Sequence, residues 1–296
     1  MLKNNKTNGC FLALGTFDGL HLGHKKVITA GEYEKRFVLM FREHPLKSLT
    51  GEAPSYLLTK RKEKEILSKW NAEPIYLDFD DIKELSPDDF FKNIIVEKIG
   101  AKILSVGFNF RFGKNASGDV KTLRSLCEKN GVELIVNDAV MFENYPVSST
   151  RIREAVKLGD IETANKMLGR KFSYDFEVVH GDERGRTINA PTINQFFEKG
   201  FTVPKYGVYS ALVVADNKIY SAVTNIGIRP TIGNSEERSE THILGFSGDL
   251  YGKNIEVMPI RRLREEKKFS SLSELKMQIE NDKKTAETIA KEYMNE

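Results

Sequence analysis

Cysteine is nearly absent: Cys10 and Cys127 are the only two among 296 residues, and they form no CxxC pair. Two such distant thiols exclude a disulfide framework and point to a reducing compartment. Long apolar runs are missing as well, and nothing approaches the length of a membrane span. Cys10 to Leu14 follows Lys3 and Lys6, but it is too short for a signal-peptide core and no small-residue cleavage site follows. It reads instead as a first β-strand. Charge of one sign is also lacking, since 45 basic residues against 42 acidic ones leave +3. So even a balance argues against a nucleic-acid coat or an anionic membrane partner, while local basic pockets for phosphate remain compatible with it. Neither internal repeats nor low-complexity segments occur. The expectation is a cytoplasmic protein with no membrane or nucleic-acid partner, a monomer or weak homo-oligomer.

What the chain does contain suffices for two packed cores: 40% of its residues are hydrophobic and 29% charged. Residues 10–14, 37–41, 74–77, 102–106 and 132–136 read as strands buried on both faces. Between them, 60–70, 88–98 and 119–130 read as helices, the second opened by Ser86 as cap with Pro87 in the first turn. This alternation predicts an α/β domain with an open parallel sheet. Two more helices are expected at Ser149–Leu158 and Ile161–Leu168, stopped by Gly169. Beyond that point 176–179, 207–214, 219–225, 241–246 and 255–259 are strand-like and joined by turns, the pattern of a small antiparallel β-barrel or sandwich. A long terminal helix starts at Ser271–Glu274, which has capping-box spacing, and Leu272, Leu275, Ile279, Ala286, Ile289 and Tyr293 share one face. The expected domains are 1–170 and 171–296.

Directly after the first strand stands Gly15-Thr16-Phe17-Asp18-Gly19-Leu20-His21-Leu22-Gly23-His24. Ligands of open parallel sheets bind at the carboxyl ends of strands. Glycines there let backbone N–H groups approach an oxyanion, and Gly23 opens a helix whose N-terminus favours phosphate. His21 and His24, three apart, converge on that entrance and can stabilise charge on a triphosphate as pyrophosphate leaves. A zinc site would need further ligands, and neither cysteine is near in sequence. Ordinary core histidines would not need the flanking glycines. The stretch resembles the signature of the HxGH nucleotidyltransferase superfamily, which transfers AMP or CMP from a nucleoside triphosphate to a phosphate acceptor.

Two later stretches narrow the choice. Gly107-Phe108-Asn109-Phe110-Arg111-Phe112-Gly113-Lys114 follows a strand, and its spacing is wrong for a Walker A loop. Ser148-Ser149-Thr150-Arg151-Ile152-Arg153 places hydroxyls and basic groups at a helix start, which suits a triphosphate and equally a plain N-cap. The three stretches in this order resemble the FMN adenylyltransferase module of the bacterial bifunctional riboflavin kinase/FAD synthetase family. That resemblance implies ATP binding by Gly15, Thr16, Phe17, Asp18, Gly23, His24, Ser149, Thr150 and Arg151. It implies catalytic roles for His21 and His24, and an adenylation site with Asn109 and Arg111. Where the family commonly has Phe-x-Pro-His-Pro, this chain reads Phe41-Arg42-Glu43-His44-Pro45, and the segment from His24 to the second strand is shorter than usual.

In the second half, His180-Gly181-Asp182-Glu183-Arg184-Gly185-Arg186 is a glycine-bracketed loop that could cradle phosphates, and Pro191-Thr192-Ile193-Asn194 offers oxygen ligands suited to Mg²⁺. By themselves these are equally a hairpin and a turn. Pro204–Tyr209, Asn225–Thr231, Glu240–Leu244, Gly248–Gly252 and Leu263–Phe269 resemble the riboflavin kinase domain in the family's order. The resemblance, extending from about Leu12 to about Ile289, implies kinase ATP binding by Gly181, Gly185, Arg186, Thr192 and Asn194, with Thr192 and Asn194 also holding the metal. It further implies Glu240 as the catalytic carboxylate and flavin contacts from Arg264 and Glu266. The implied activity converts riboflavin to FMN and FMN to FAD, with ATP as co-substrate and Mg²⁺ as cofactor. Two departures bear on the kinase half: Asn189-Ala190 precede Pro191 where the family often has Gly-Phe, and Gly245 stands where an aspartate is frequent.

Overall fold

The computed structural model describes residues 10–180, 192–231 and 234–294. The chain divides into two compact units, Met1–Pro54 with Lys60–Ser149, and Ser55–Thr59 with Thr150–Glu296.

The first unit is built on β1 (Cys10–Leu14), β2 (Arg36–Phe41), β3 (Ala72–Leu77), β4 (Ala101–Gly107) and β5 (Glu133–Asn137), all parallel, in the order β3-β2-β1-β4-β5. Central β1 is buried along its whole length, as a strand covered on both faces must be. The outer β3 and β5 are only partly buried, so the expectation of strands buried on both faces holds for the centre and not the edges. The helices are α1 (Leu22–Ile28), α2 (Pro45–Thr50), α3 (Lys60–Lys69), α4 (Pro87–Asp89) and α5 (Val120–Asn130). Ser86 caps α4 as expected, accepting from the Asp89 amide, but the helix then widens into a π-helix over Phe90–Ile99. Phe90, Phe91, Ile94, Ile95 and Ile99 pack there with Leu123, Leu126 and Cys127 against Leu12, Leu14, Leu104 and Val106 of the sheet. Short α2 and the hairpin β6 (Met141–Phe142) and β7 (Tyr145–Pro146) had no clear signal in the sequence.

In the second unit α6 (Ser149–Leu158) and α7 (Ile161–Leu168) have the expected bounds, with Gly169 in the left-handed C-cap. The division near Ser149 comes earlier than the boundary expected at 170. Both helices are tied to strands of the second unit: Val156 O accepts from Lys205 N, and Glu162 pairs with Arg261 at 2.7 Å. Residues 55–59 join the same unit. The Tyr56 amide donates to Gly200 O, the Thr202 amide to Tyr56 O, and the Tyr56 hydroxyl to Glu198 at 2.8 Å.

The remaining strands are β8 (Ile193–Phe196), β9 (Gly207–Ala215), β10 (Lys218–Thr231), β11 (Asn234–Ile243) and β12 (Glu256–Arg264), in the order β12-β9-β10-β11-β8 with antiparallel pairing. Residues 176–179, expected as a strand, make only isolated bridges. The run links both sheet edges, with Tyr174 bridged to Val257 and Val179 to Asn194, and so closes the barrel. Inside, Tyr209, Thr224 and Thr241 are buried, with the hydroxyls of Tyr174, Thr224 and Thr241 joined in a chain. Burial pushes the Tyr174 phenol up. The final helix α8 (Leu272–Met294) docks Ile289 and Ala290 on Leu212 and Ile260. Leu272, expected on that face, is 70% exposed, because the first turn is held by polar caps instead of packing. Ser271 Oγ accepts from the Glu274 amide, while the Glu274 carboxylate accepts from Ser270.

Below the carboxyl ends of the parallel strands, buried Asn137 donates to Ser105 Oγ and Val106 O, and Ser105 donates to Val27 O of α1. This chain joins β5, β4 and α1 where no water can replace a lost partner. Asn137→Ala should lower the stability of the first unit by about 1–3 kcal/mol, read as an earlier denaturation midpoint in urea at unchanged slope.

Two candidate active sites

The order β3-β2-β1-β4-β5 reverses between β1 and β4, because β1 runs on to β2 on one side while β4 pairs on its other. A crevice opens at the carboxyl ends of two such strands. The loop Gly15–His21 leaves β1 there, and the loop Gly107–Gly113 leaves β4 beside it. Two motifs far apart in sequence therefore stand at neighbouring strand ends.

The first loop is bent through positive φ at Phe17, Gly19 and Leu20, at 49°, 81° and 44°. Two non-glycine residues in that region imply a backbone held by its packing, and both side chains are buried. Phe17 thus serves the loop as an anchor, its ring edge-on to His24 at 5.4 Å, whereas Thr16 is exposed and Asp18 half-buried. His21 is the N-cap of α1: its Nδ1 accepts from the His24 amide at 3.3 Å. That bond leaves the ring proton on Nε2, which is a donor. The two imidazoles stack at 3.5 Å between centroids and 18° between planes, as the spacing predicted. Gly23 keeps this approach close, since a Cβ there would lie 3.0 Å from the capping His21 ring. Ser149 donates to the Asp18 carbonyl at 2.6 Å, so its hydroxyl ties the loop. Thr150, exposed, and Arg151, half-buried, continue the first turn of α6 in the second unit. Sequence reasoning did not select His44. It caps α2 through Nδ1, and its Nε2 lies 3.9 Å from the Asp18 carboxylate. The His-Pro pair at the end of β2 was the available signal.

In the second loop Phe110 and Phe112 stack at 5.7 Å and Phe112 is buried, while Asn109 and Arg111 are exposed between and beside them. Alternation turns the two predicted polar residues outward together.

In the second unit, cross-strand register assembles the site. Asn194 of β8 pairs with Glu240 of β11, Glu240 with Asn225 of β10, Asn225 with Val208 of β9, and Val208 with Arg264 of β12. Directly opposed residues share a face, so Asn194, Glu240 and Arg264, assigned from separate motifs, lie in one row across five strands. Thr241 and Thr224 belong to the opposite, interior face. One step along, Phe196, Arg238 and Gly227 form the next row of the outer face. Arg238 makes an ion pair with Glu240 through Nη2. Asn225 donates to Glu266 Oε1 at 2.9 Å, and Gly227 leaves the room for that carboxylate, since a Cβ would stand 2.6 Å from it. Tyr206 donates to Glu237, and burial together with the carboxylates of Glu237 and Glu266 pushes its phenol up to about 12. Arg264 is clamped by buried Asp282 of α8, at 2.8 Å from Nη2, so its guanidinium is already engaged. Asn194 is buried and Thr192 half-buried, while Gly181, Gly185 and Arg186 lie outside the described residues.

Among the described residues no cluster of three or more His, Cys, Asp or Glu could cage a metal. A hydroxyl, a carboxamide and a nearby carboxylate instead suit Mg²⁺, which keeps several waters and shares its sphere with phosphates. The donor set therefore fits. No helix among the described residues is long and apolar enough to cross a membrane.

The FAD synthetase family model matches residues 3–151 and the riboflavin kinase model residues 168–290. The bifunctional riboflavin kinase/FMN adenylyltransferase of Escherichia coli K12 is 33% identical, covering 94% of this chain and 92% of its own. That of Bacillus subtilis is 34% identical, covering 93% and 90%. A crystal structure described as a macrolide-efflux protein from Streptococcus pneumoniae superposes with a TM-score of 0.88 at 29% identity over 96% of each chain. With both family models matched in order and the relatives aligned almost end to end, the chain belongs to the family of bifunctional riboflavin kinase/FMN adenylyltransferases.

Proposed function

We propose that the chain makes FAD from riboflavin in two ATP-dependent steps, one in each unit. The observation that supports this reading is the presence in one chain of two separate constellations whose chemistry suits a nucleotide. One is the histidine pair at the β1/β4 switch point, and the other is the Asn194–Glu240 register pair on the barrel.

In the kinase step the riboflavin 5′-oxygen attacks the γ-phosphorus of ATP, the bond to the β-phosphate oxygen breaks, and ADP leaves. Glu240 accepts the hydroxyl proton, which an ionised carboxylate on an accessible face can do. Thr192 and Asn194 would hold Mg²⁺, which when bound with ATP neutralises phosphate charge. Glu266, fixed by Asn225, lies at the flavin side of the same face, and Arg264 takes part in flavin binding from its clamped position. By resemblance Gly181, Gly185 and Arg186 contribute to the ATP phosphates.

In the adenylyl step a phosphate oxygen of FMN attacks the α-phosphorus of ATP, the α–β bridging bond breaks, and pyrophosphate leaves. No covalent enzyme intermediate is needed, so catalysis rests on positioning and charge stabilisation. His21 and His24 donate toward the departing phosphates, and the bent Gly15–Asp18 loop supplies backbone N–H groups. Ser149 holds that loop, and Thr150 and Arg151, next in the chain, complete the ATP-binding set by resemblance. Asn109 and Arg111 meet the FMN phosphate side. Both thiols are free and buried, which suits the reducing cytoplasm. The protein works as a monomer or weak homo-oligomer without nucleic acid or membrane partners.

His24→Ala should cut FAD formation from added FMN by about 10²–10³-fold and leave FMN formation from riboflavin within twofold, measured by flavin chromatography. Equal FAD yields from variant and wild type would remove His24 from the reaction. Glu240→Gln should lower riboflavin phosphorylation by about 10²–10⁴-fold while added FMN is still adenylylated. Undiminished phosphorylation would overturn the proton-acceptor assignment.

A further inference from the structure

The kinase face holds a charged group that neither the motifs nor the family assignment uses. Arg238 lies two residues before Glu240 on β11, so both side chains leave the same face of the strand. Its Nη2 pairs with Glu240 Oε1, and the two side chains are only 17% and 35% exposed. Its other terminal nitrogen, Nη1, is buried with no hydrogen-bond partner. Across from Glu240 on β10, Asn225 shows the same condition: Nδ2 is engaged by Glu266, and Oδ1 is buried without a partner. A donor and an acceptor thus stand on the two residues that neighbour Glu240, both desolvated and both unused.

Leaving such groups unpaired is costly, and more so for a charged one. Each such group calls for an explanation, and a ligand taken up at the site is one. A guanidinium is planar and forked, so one arm can fix a carboxylate while the other stays aimed. A flexible glutamate on a half-open face would otherwise sample several rotamers, and only one of them points an oxygen at the substrate hydroxyl.

We propose that Arg238 is a positioning residue of the kinase site. It holds Glu240 through Nη2 in the orientation that accepts the 5′-hydroxyl proton, and it reserves Nη1 for an oxygen acceptor on the bound substrate. The riboflavin side chain and the transferred phosphate both carry such an oxygen. Arg238 acts through Glu240, so the inference rests on the proton-acceptor reading of that residue.

The test is a double-mutant cycle on the full chain with Arg238→Ala, Glu240→Gln and the combined variant, following riboflavin phosphorylation and, in the same preparations, adenylylation of added FMN. Arg238→Ala should lower the phosphorylation kcat by about a hundredfold, the usual effect of a misplaced catalytic group. Adenylylation should stay within twofold. In the Glu240→Gln background the same change should add almost nothing, because its effect runs through the missing carboxylate. A raised KM for riboflavin locates the Nη1 acceptor on the flavin side chain, and a raised KM for ATP locates it on the phosphate. A kcat within twofold of wild type in Arg238→Ala, or a full hundredfold loss on top of Glu240→Gln, overturns the proposal. An undiminished rate in Glu240→Gln alone instead overturns the reading beneath it. If Arg238→Ala loses adenylylation as well, Arg238→Lys replaces it in the cycle. Lysine keeps the charge but not the fork, so a loss of kcat confined to the kinase supports the proposal and a wild-type rate overturns it.

Discussion

Slipping β11 by one residue against β10 and β8 would turn Glu240 into the barrel interior and bring Thr241 out to Asn194. The side-chain period of two makes that exchange complete, with every residue on the strand changing face. What prevents it is the interior: Thr241 is hydrogen-bonded to Thr224, Thr224 to Tyr174, and these groups have no water to fall back on. The buried hydroxyl chain thereby fixes the outer row Asn194–Glu240–Asn225 from the opposite face of the sheet. The isolated bridges of residues 174–179 close the sheet and carry Tyr174 to its place.

The first unit obeys the same constraint in parallel form. Leu12 pairs with Leu104 and Ala13 with Ser105, so β1 and β4 end together and their loops share one crevice. Within that crevice the geometry is local. His21 caps α1 with the ring that stacks on His24, and Gly23 is the residue whose missing Cβ lets the ring lie there. One motif of four residues therefore combines a helix cap, a tautomer assignment and a paired donor surface. Its backbone turn is held by Phe17 and Leu20 inside the core.

Much of this was legible in the amino-acid order. Strand and helix alternation, the HxGH stretch and the change of texture after Gly169 are local patterns, and local patterns survive translation into structure. Other features were not. Residues 176–179 look like a strand because Phe176, Val178 and Val179 are apolar and two of them β-branched, yet they bridge two different edges instead of pairing along one. Residues 55–59 carry no compositional mark of leaving one unit for the other, since their pairing with Gly200 and Thr202 uses backbone groups that every residue has. Leu272 fits the apolar stripe of α8 but precedes the point where the helix meets the sheet.

Sequence by itself determined the family and the two chemistries, because spacing after a strand or at a helix start is a short-range property. Tertiary structure alone decided which groups stand together across the fold: Glu240 beside Asn194 and Asn225, and Arg264 against Asp282. The row through Glu240 is set by hydrogen-bond register between strands, and the Arg264 clamp by the docking of α8. Register is decided by the packing of whole faces, and no single segment contains it.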